Sequence, residues 1–238
     1  LFIFAIFNPT QNDIIIYRIL DTIVGAVLAI FANHFFWPFW EFLNTNENIE
    51  NSIKAIRNYL LQISLFYNNK QDINSNYRLA RNQAFIEIGN LMASFQRMLQ
   101  EPKSKQNNLQ QVYKITVINN AMLSSAASLG TYTQTHKTTD ASQSFNTVIT
   151  IIISNLDQAI SILNGGNEPK DLENLDLVYS EIKKIKVDEI NESQNLDQEN
   201  LKINLQEIQF IKEQLIWLAN LSNNILTTIK SLMQSQKD

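Results

Sequence analysis

Ile14 to Leu43 reads IIIYRILDTIVGAVLAIFANHFFWPFWEFL, and the solvent this stretch requires decides how the rest of the chain is read. Between Ile19 and Trp40 the run holds a single acid, Asp21, and one histidine, His34; as a helix it is roughly 33 Å long. The hydrocarbon core of a bilayer is about 30 Å thick. Trp37, Pro38, Phe39 and Trp40 close the run with an aromatic boundary, and polar Asn44, Asn46, Glu47, Asn48 and Glu50 follow at once. The pattern predicts a membrane-spanning helix within 14–43. The competing reading is a buried core helix of a soluble domain, which needs neither this length nor a Trp-Pro-Phe-Trp exit.

At helical spacing Arg18, Asp21 with Thr22, Gly25, Ala29, and Ala32 with Asn33 fall on one stripe, while Ile19, Ile23, Val27, Ile30 and Phe31 cover most of the rest. Small residues admit a neighbouring backbone, and an intramembrane charge needs a partner or a wet cavity, so this helix is expected to pack inside a larger membrane bundle. Arg18 and Asp21, three apart, can pair with each other. Two readings stand side by side: an interfacial ion pair that anchors the helix, or a place on a substrate path.

The chain of 238 residues begins at Leu1 in mid-apolar run, LFIFAIF, without a basic leader region. It is therefore expected to be a carboxy-terminal fragment, with 1–7 the tail of a preceding membrane helix and Asn8 to Asp13, broken by Pro9, a loop back into the bilayer. Net charge is −4 and 18% of residues are charged, below the roughly 25% of a soluble domain. No basic patch emerges; Lys183, Lys184 and Lys186 alternate with Glu181, Asp188 and Glu189 as on a solvated helix face, so nucleic acid is not an expected partner. The absence of cysteine excludes disulfides, thiolate metal sites and thiol catalysis in these residues. Lys54 and Arg57 lie on the Trp40 side, whereas the loop at 8–13 has no basic residue, which puts the downstream domain in the cytoplasm.

Downstream of the membrane the signal is helix throughout. Ile49, Ile53, Ile56, Leu60, Ile63 and Tyr67 recur at three-four spacing up to Asn68-Asn69. Asn74 to Gln100 carries a heptad of Tyr77, Arg81, Ala84, Ile88, Leu91, Phe95 and Met98, with Pro102 ending it. Arg81 occupies a seam position in that series and is expected to need a carboxylate, Glu101 among the candidates, or a carbonyl from another helix. Further helices are expected over 109–134 with Val112, Thr116, Asn119, Leu123 and Gly130 inward, over 140–163 up to the Gly165-Gly166 stop, over 172–187, and over 201–233, with Trp217 beside the last seam. Acidic 188–200 is expected to be a flexible, partly helical connection. The fold expected is all-α: a terminal transmembrane helix (domain 1–43), then an antiparallel bundle of five to seven helices (domain 44–238).

No chemistry declares itself. His34 and His136 have no neighbouring ligand residues, so no metal is expected. There is no phosphate loop, dinucleotide fingerprint or nucleophile elbow, and the adjacent Asp188 and Glu189 point to different sides of a helix. No catalytic residue and no cofactor are expected, and the chain is not expected to be an enzyme.

Arg18-Ile-Leu-Asp21-Thr22-Ile-Val-Gly25, with Ala29 and the closing Trp37-Pro38-Phe39-Trp40, resembles the last membrane helix of the fusaric-acid-resistance (FUSC) superfamily. Tyr77-Arg78-Leu79-Ala80-Arg81, then Ala84, Leu91, Met98 and Glu101-Pro102, is similar to a helix in the soluble domain of YccS/YhfK-type inner-membrane proteins of that superfamily; it departs at Asn82, where a second basic residue is expected. The resemblance implies a multi-pass protein of the bacterial inner membrane exporting small organic anions, aromatic carboxylic acids in particular. On that view Arg18 attracts a carboxylate, Asp21 orients it or carries a proton, and the cytoplasmic bundle assembles a homo-oligomer or gates the membrane part. The alternative is a membrane-anchored helical interaction module without transport activity.

Overall fold

A computed structural model describes residues 12–35, 44–69, 75–103, 106–135, 141–166, 175–192 and 198–235. Among these residues there are seven helices and no strand: α1 (Asn12–Phe35), α2 (Thr45–Asn69), α3 (Ser75–Met98), α4 (Leu109–Thr135), α5 (Gln143–Leu163), α6 (Leu175–Glu192) and α7 (Gln198–Ser235). The chain is all-α, as the periodicity predicts. It divides into two compact units, Leu1–Trp40 and Glu41–Asp238.

In the first unit α1 is a helix of 24 residues. Its apolar side chains, from Ile16 and Tyr17 through Leu28, Ile30 and Phe31, are exposed on every side. The expected helix tail and loop before residue 12, and the Trp37-Pro38-Phe39-Trp40 boundary, lie outside the described residues.

In the second unit α2, α4, α7 and α5 form a closed ring of neighbours; α3 lies against α2 and α4, and α6 against α5 and α7. Periodicity explains which faces meet. Ile49, Ile53, Ile56, Leu60, Ile63 and Tyr67 of α2 are all buried, as are Val148, Ile152 and Leu156 of α5 and Leu215, Leu218, Ile225, Ile229 and Leu232 of α7. Fully burying each such side chain contributes about 1.5–3 kcal/mol. Helix α4 touches three neighbours and is buried round most of its circumference, which is why the small Ser125, Ala126 and Gly130 sit inward beside Ile115, Met122 and Leu129.

Local chemistry sets the ends. Ser142 caps α5, its Oγ accepting the Phe145 N–H at 3.1 Å, and Gly165, with φ of 77°, turns the chain after Asn164. Pro102 follows α3, and the Gln106 amide donates to the carbonyls of Leu99 and Glu101. Helix α6 runs on to Glu192 and α7 starts at Gln198, so much of the expected flexible connection is helical.

Helices α2 and α5 run antiparallel and are joined by a polar ladder. Asn164 donates to Glu50 (2.9 Å), Arg57 holds Asp157 in a two-pronged pair (2.6 and 3.1 Å), and the amides of Asn68 and Asn146 exchange hydrogen bonds (2.8 and 2.9 Å). Seven residues on α2 answer seven on α5, then eleven answer eleven.

One seam assignment is corrected. Arg81 is exposed, with its guanidinium 5.7 Å from the centre of the Phe85 ring on its own helix, and no carboxylate pairs with it among the described residues. Ala80 is half-buried in its stead, and Ser94, Ile88 and Leu91 continue the inward face. A guanidinium is costly to bury, whereas one step along the helix a methyl group fills the same layer at no such cost.

Candidate functional site

The membrane-motif residues are gathered on one helix. Arg18, then Asp21 with Thr22, then Gly25 stand three or four residues apart along α1, all exposed. The Thr22 hydroxyl is satisfied by the Arg18 carbonyl at 2.8 Å, and a Cβ on Gly25 would meet nothing within 4 Å. Among the described residues no ion pair joins Arg18 to Asp21; an exposed pair gains at most about 1 kcal/mol and must restrain two side chains to do so. Trp37, Pro38 and Trp40 lie outside the described residues.

The soluble-domain motif is split by the fold. Tyr77 is buried, Arg78 and Arg81 are exposed on the same stretch of α3, and Glu101 and Pro102 follow the far end of that helix, which lies about 25 Å beyond Arg81 by helical rise. Glu101 therefore serves no site with Arg81.

What Tyr77 does build is a three-helix node. Its hydroxyl lies 3.2 Å from that of Tyr59 on α2, the two rings meet edge to face with centres 5.6 Å apart, and Phe66 adds a third ring at 5.8 Å. Gly130 of α4 sits beneath both hydroxyls: a Cβ there would collide with Tyr77 Oη and press on Tyr59 Oη and Ile63. Burial drives both phenols above their ordinary pKa; the Tyr59 hydroxyl raises Tyr77 further, and nearby Arg81 pulls the other way on both. The node is packed tight and is a structural lock rather than a binding cavity. Sequence reading placed Tyr77 and Gly130 inward but could not pair them, because a hydroxyl pair over a glycine leaves no periodic trace.

Buried polar groups elsewhere mark the bundle interior. Asn155 of α5 donates to the Ser222 hydroxyl of α7 at 3.1 Å, and Ser125 of α4 donates to Gln214 of α7 at 2.6 Å. Asn119 is fully buried, with neither amide atom hydrogen-bonded among the described residues. Glu207 is buried near Tyr132, whose phenol is raised first by burial and then by that carboxylate. Between α2 and α3 lies an open groove of about 330 Å³, lined by Asn58, Leu61, Gln62, Leu79 and Gln83, with no charged group. Among the described residues no three His, Cys, Asp or Glu side chains converge as a metal site would require. His136 lies outside the described residues.

Two helices are long and apolar enough to cross a membrane. The window Ile15–Ala32 of α1 has mean hydropathy 2.0 and none of it is buried, whereas Gln143–Leu163 of α5 has 1.3 and half of it is buried in the bundle.

No protein-family model matches the chain, and no solved structure matches it. Over 117 residues, 48% of the chain, it is 30% identical to an uncharacterized protein of Haemophilus influenzae (strain ATCC 51907 / DSM 11121 / KW20 / Rd). Over 115 residues, again 48% of the chain, it is 27% identical to the inner membrane protein YccS of Escherichia coli (strain K12). Each match spans 16% of the relative's own length, so this chain is similar to a limited segment of much larger proteins, one of which is an inner membrane protein.

Proposed function

We propose that this chain is part of an inner-membrane protein of the FUSC type, in which α1 crosses the bilayer and α2 to α7 form a cytoplasmic helical module. The observation that carries this reading is α1 itself, an apolar helix with no side chain of its central window buried. Its 24 residues reach about 36 Å, enough to span. The similarity to an inner membrane protein supports it independently.

In the complete protein the activity proposed is export of small organic anions, aromatic carboxylic acids among them. Arg18 supplies the positive charge for a carboxylate and Asp21 orients it or carries a proton, both on the small-residue stripe that a neighbouring membrane helix would cover. The module assembles protomers or gates the membrane part, and no enzymatic activity is proposed. A second reading, an anchored interaction module without transport, draws on α7, whose 38 residues include Trp217 at 53% exposure.

Membrane fractionation with an alkaline carbonate wash tests the foundation. The chain should stay in the pellet, and Val24→Arg with Leu28→Arg should release it, each arginine adding about 2.5–3.5 kcal/mol to insertion. Release of the unaltered chain would retire the membrane reading. Substituting Arg18→Ala in the complete protein should then abolish export while membrane insertion is retained; insertion without any measurable export in the unaltered protein favours the interaction module.

A further inference from the structure

Helix α3 has two apolar faces where a peripheral helix needs one. Tyr77, Ala84, Ile88 and Leu91 are buried against α2 and α4. On the opposite side Leu79, Phe85, Ile86 and Met92 are 67, 47, 55 and 43% exposed. Interleaved with them are the exposed arginines Arg78, Arg81 and Arg97. At 100° per residue all seven lie within about 100° of the direction in which Asn82 points, whereas Glu87, the one acid of the helix, lies about 140° from it. Glu87 is also occupied, accepting hydrogen bonds from Gln83 at 2.6 Å and Asn90 at 3.3 Å. The outward face is apolar and cationic at once, with the Arg81 guanidinium beside the Phe85 ring.

Charge is divided in the same sense across the whole second unit. Residues 44–139, which contain α2 to α4, hold ten Lys and Arg against five Asp and Glu; residues 140–238, which contain α5 to α7, hold eight against fifteen. Helix α3 flanks the ring of helices on its basic edge, against α2 and α4, and α6 flanks it on the acidic edge, against α5 and α7. Such a body turns its basic side toward an anionic surface and its acidic side away from it.

Two observations select the anion. Nucleic acid would engage the arginines and leave the four large apolar side chains unused, whereas a phospholipid leaflet offers phosphate to the guanidinium groups and acyl chain to the residues between them. The second observation is the tether. Nine residues separate the end of α1 at Phe35 from the start of α2 at Thr45, a reach of about 35 Å at full extension. A surface held that close to a bilayer meets it at an effective concentration on the order of millimolar, so a contact too weak to recruit a free domain suffices.

We propose that the outward face of α3 rests on the anionic phospholipid surface of the bilayer that α1 crosses. Leu79, Phe85, Ile86 and Met92 enter the boundary between headgroups and acyl chains, and the arginines lie among the phosphates with their aliphatic stems along the same boundary. The acidic α6 side faces water. This contact rests on the membrane reading of α1, and its test separates the two.

The 238-residue chain contains no cysteine, so single introduced thiols carry a fluorophore to one known position each. The full chain is reconstituted in phosphatidylcholine vesicles with and without phosphatidylglycerol at about one lipid in three. Spin-labelled lipid added to the vesicles quenches any label that touches it. A label at Ile86→Cys should be quenched about twofold or more in the anionic vesicles and little in the neutral ones, with Leu177→Cys on α6 unquenched in both. Arg78→Gln with Arg81→Gln, or high salt, should reverse the Ile86→Cys quenching while a label at Val24→Cys on α1 stays quenched throughout. Quenching at Val24→Cys without quenching at Ile86→Cys would overturn the contact and leave the membrane reading standing. Absence of quenching at both positions would overturn the two together. Equal quenching of Ile86→Cys in neutral vesicles, or insensitivity to the arginine substitutions, would overturn the role of anionic lipid. So would an Ile86→Cys label shielded from aqueous iodide but untouched by spin-labelled lipid, because a protein surface would then cover the face.

Discussion

Helices α1 and α5 have similar length and both are apolar enough to cross a membrane, but their polar residues are placed on different terms. On α5 polar side chains reach other helices of the bundle: Ser144 reaches Glu181 of α6, Asn155 reaches Ser222 of α7, and the exposed Asp157 reaches Arg57 of α2. On α1 the polar positions are collected on a single stripe, and the Thr22 hydroxyl turns back onto the Arg18 carbonyl of its own helix. Average hydropathy does not separate a core helix from a spanning one. The distribution of the exceptions does.

The largest effect that could break this contrast is a charge at the centre of each helix. Ile152→Asp places an unpaired carboxylate at a fully buried position of α5 and should cost more than about 4 kcal/mol, removing the cooperative thermal transition. Ile23→Asp, on α1, should leave that transition in place and weaken membrane retention instead. Circular dichroism melts and fractionation of the two variants together read both outcomes; if Ile23→Asp also abolished the transition, α1 would belong to the folded core.

A smaller effect sharpens the same contrast through two glycines. Gly130→Ala drives a methyl group into the tyrosine pair and should destabilise the bundle by about 1–3 kcal/mol in a denaturant titration. Gly25→Ala meets nothing within 4 Å and should leave bundle stability unchanged.

The smallest effect concerns pH. The Tyr59 and Tyr77 phenols are raised by burial, so the neutral form is the one the fold favours. Their contribution is complete below the ordinary phenol pKa near 10 and is lost as pH rises through the higher folded values. The melting temperature should fall above about pH 10, and less steeply in Tyr77→Phe, which has one buried phenol fewer to ionise. At neutral pH that variant loses about 1 kcal/mol with the hydroxyl pair.

The helices were legible because burial at three-four spacing is a local property: Ile49 to Tyr67, Phe145 to Leu156 and Ile208 to Leu232 announce their inward faces without knowing what they face. Arg81 was misplaced because steps of three and four are both helical, and the sequence alone does not choose between Arg81 and Ala80 for one layer. The Arg57 and Asp157 pair and the Tyr59, Tyr77 and Gly130 node were out of reach for a different reason. They join positions up to 100 residues apart, and nothing in the local pattern of either partner names the other.

The ladder between α2 and α5 constrains how these two helices can change length. A residue inserted between Glu50 and Arg57 turns everything beyond it by about 100° and shifts it by about 1.5 Å, so Arg57 and Asn68 would miss Asp157 and Asn146 together. Only a matching insertion between Asp157 and Asn164 would bring the rungs back opposite each other. Indels in this pair of helices should therefore be tolerated in couples, while single substitutions at the exposed rungs are absorbed one at a time.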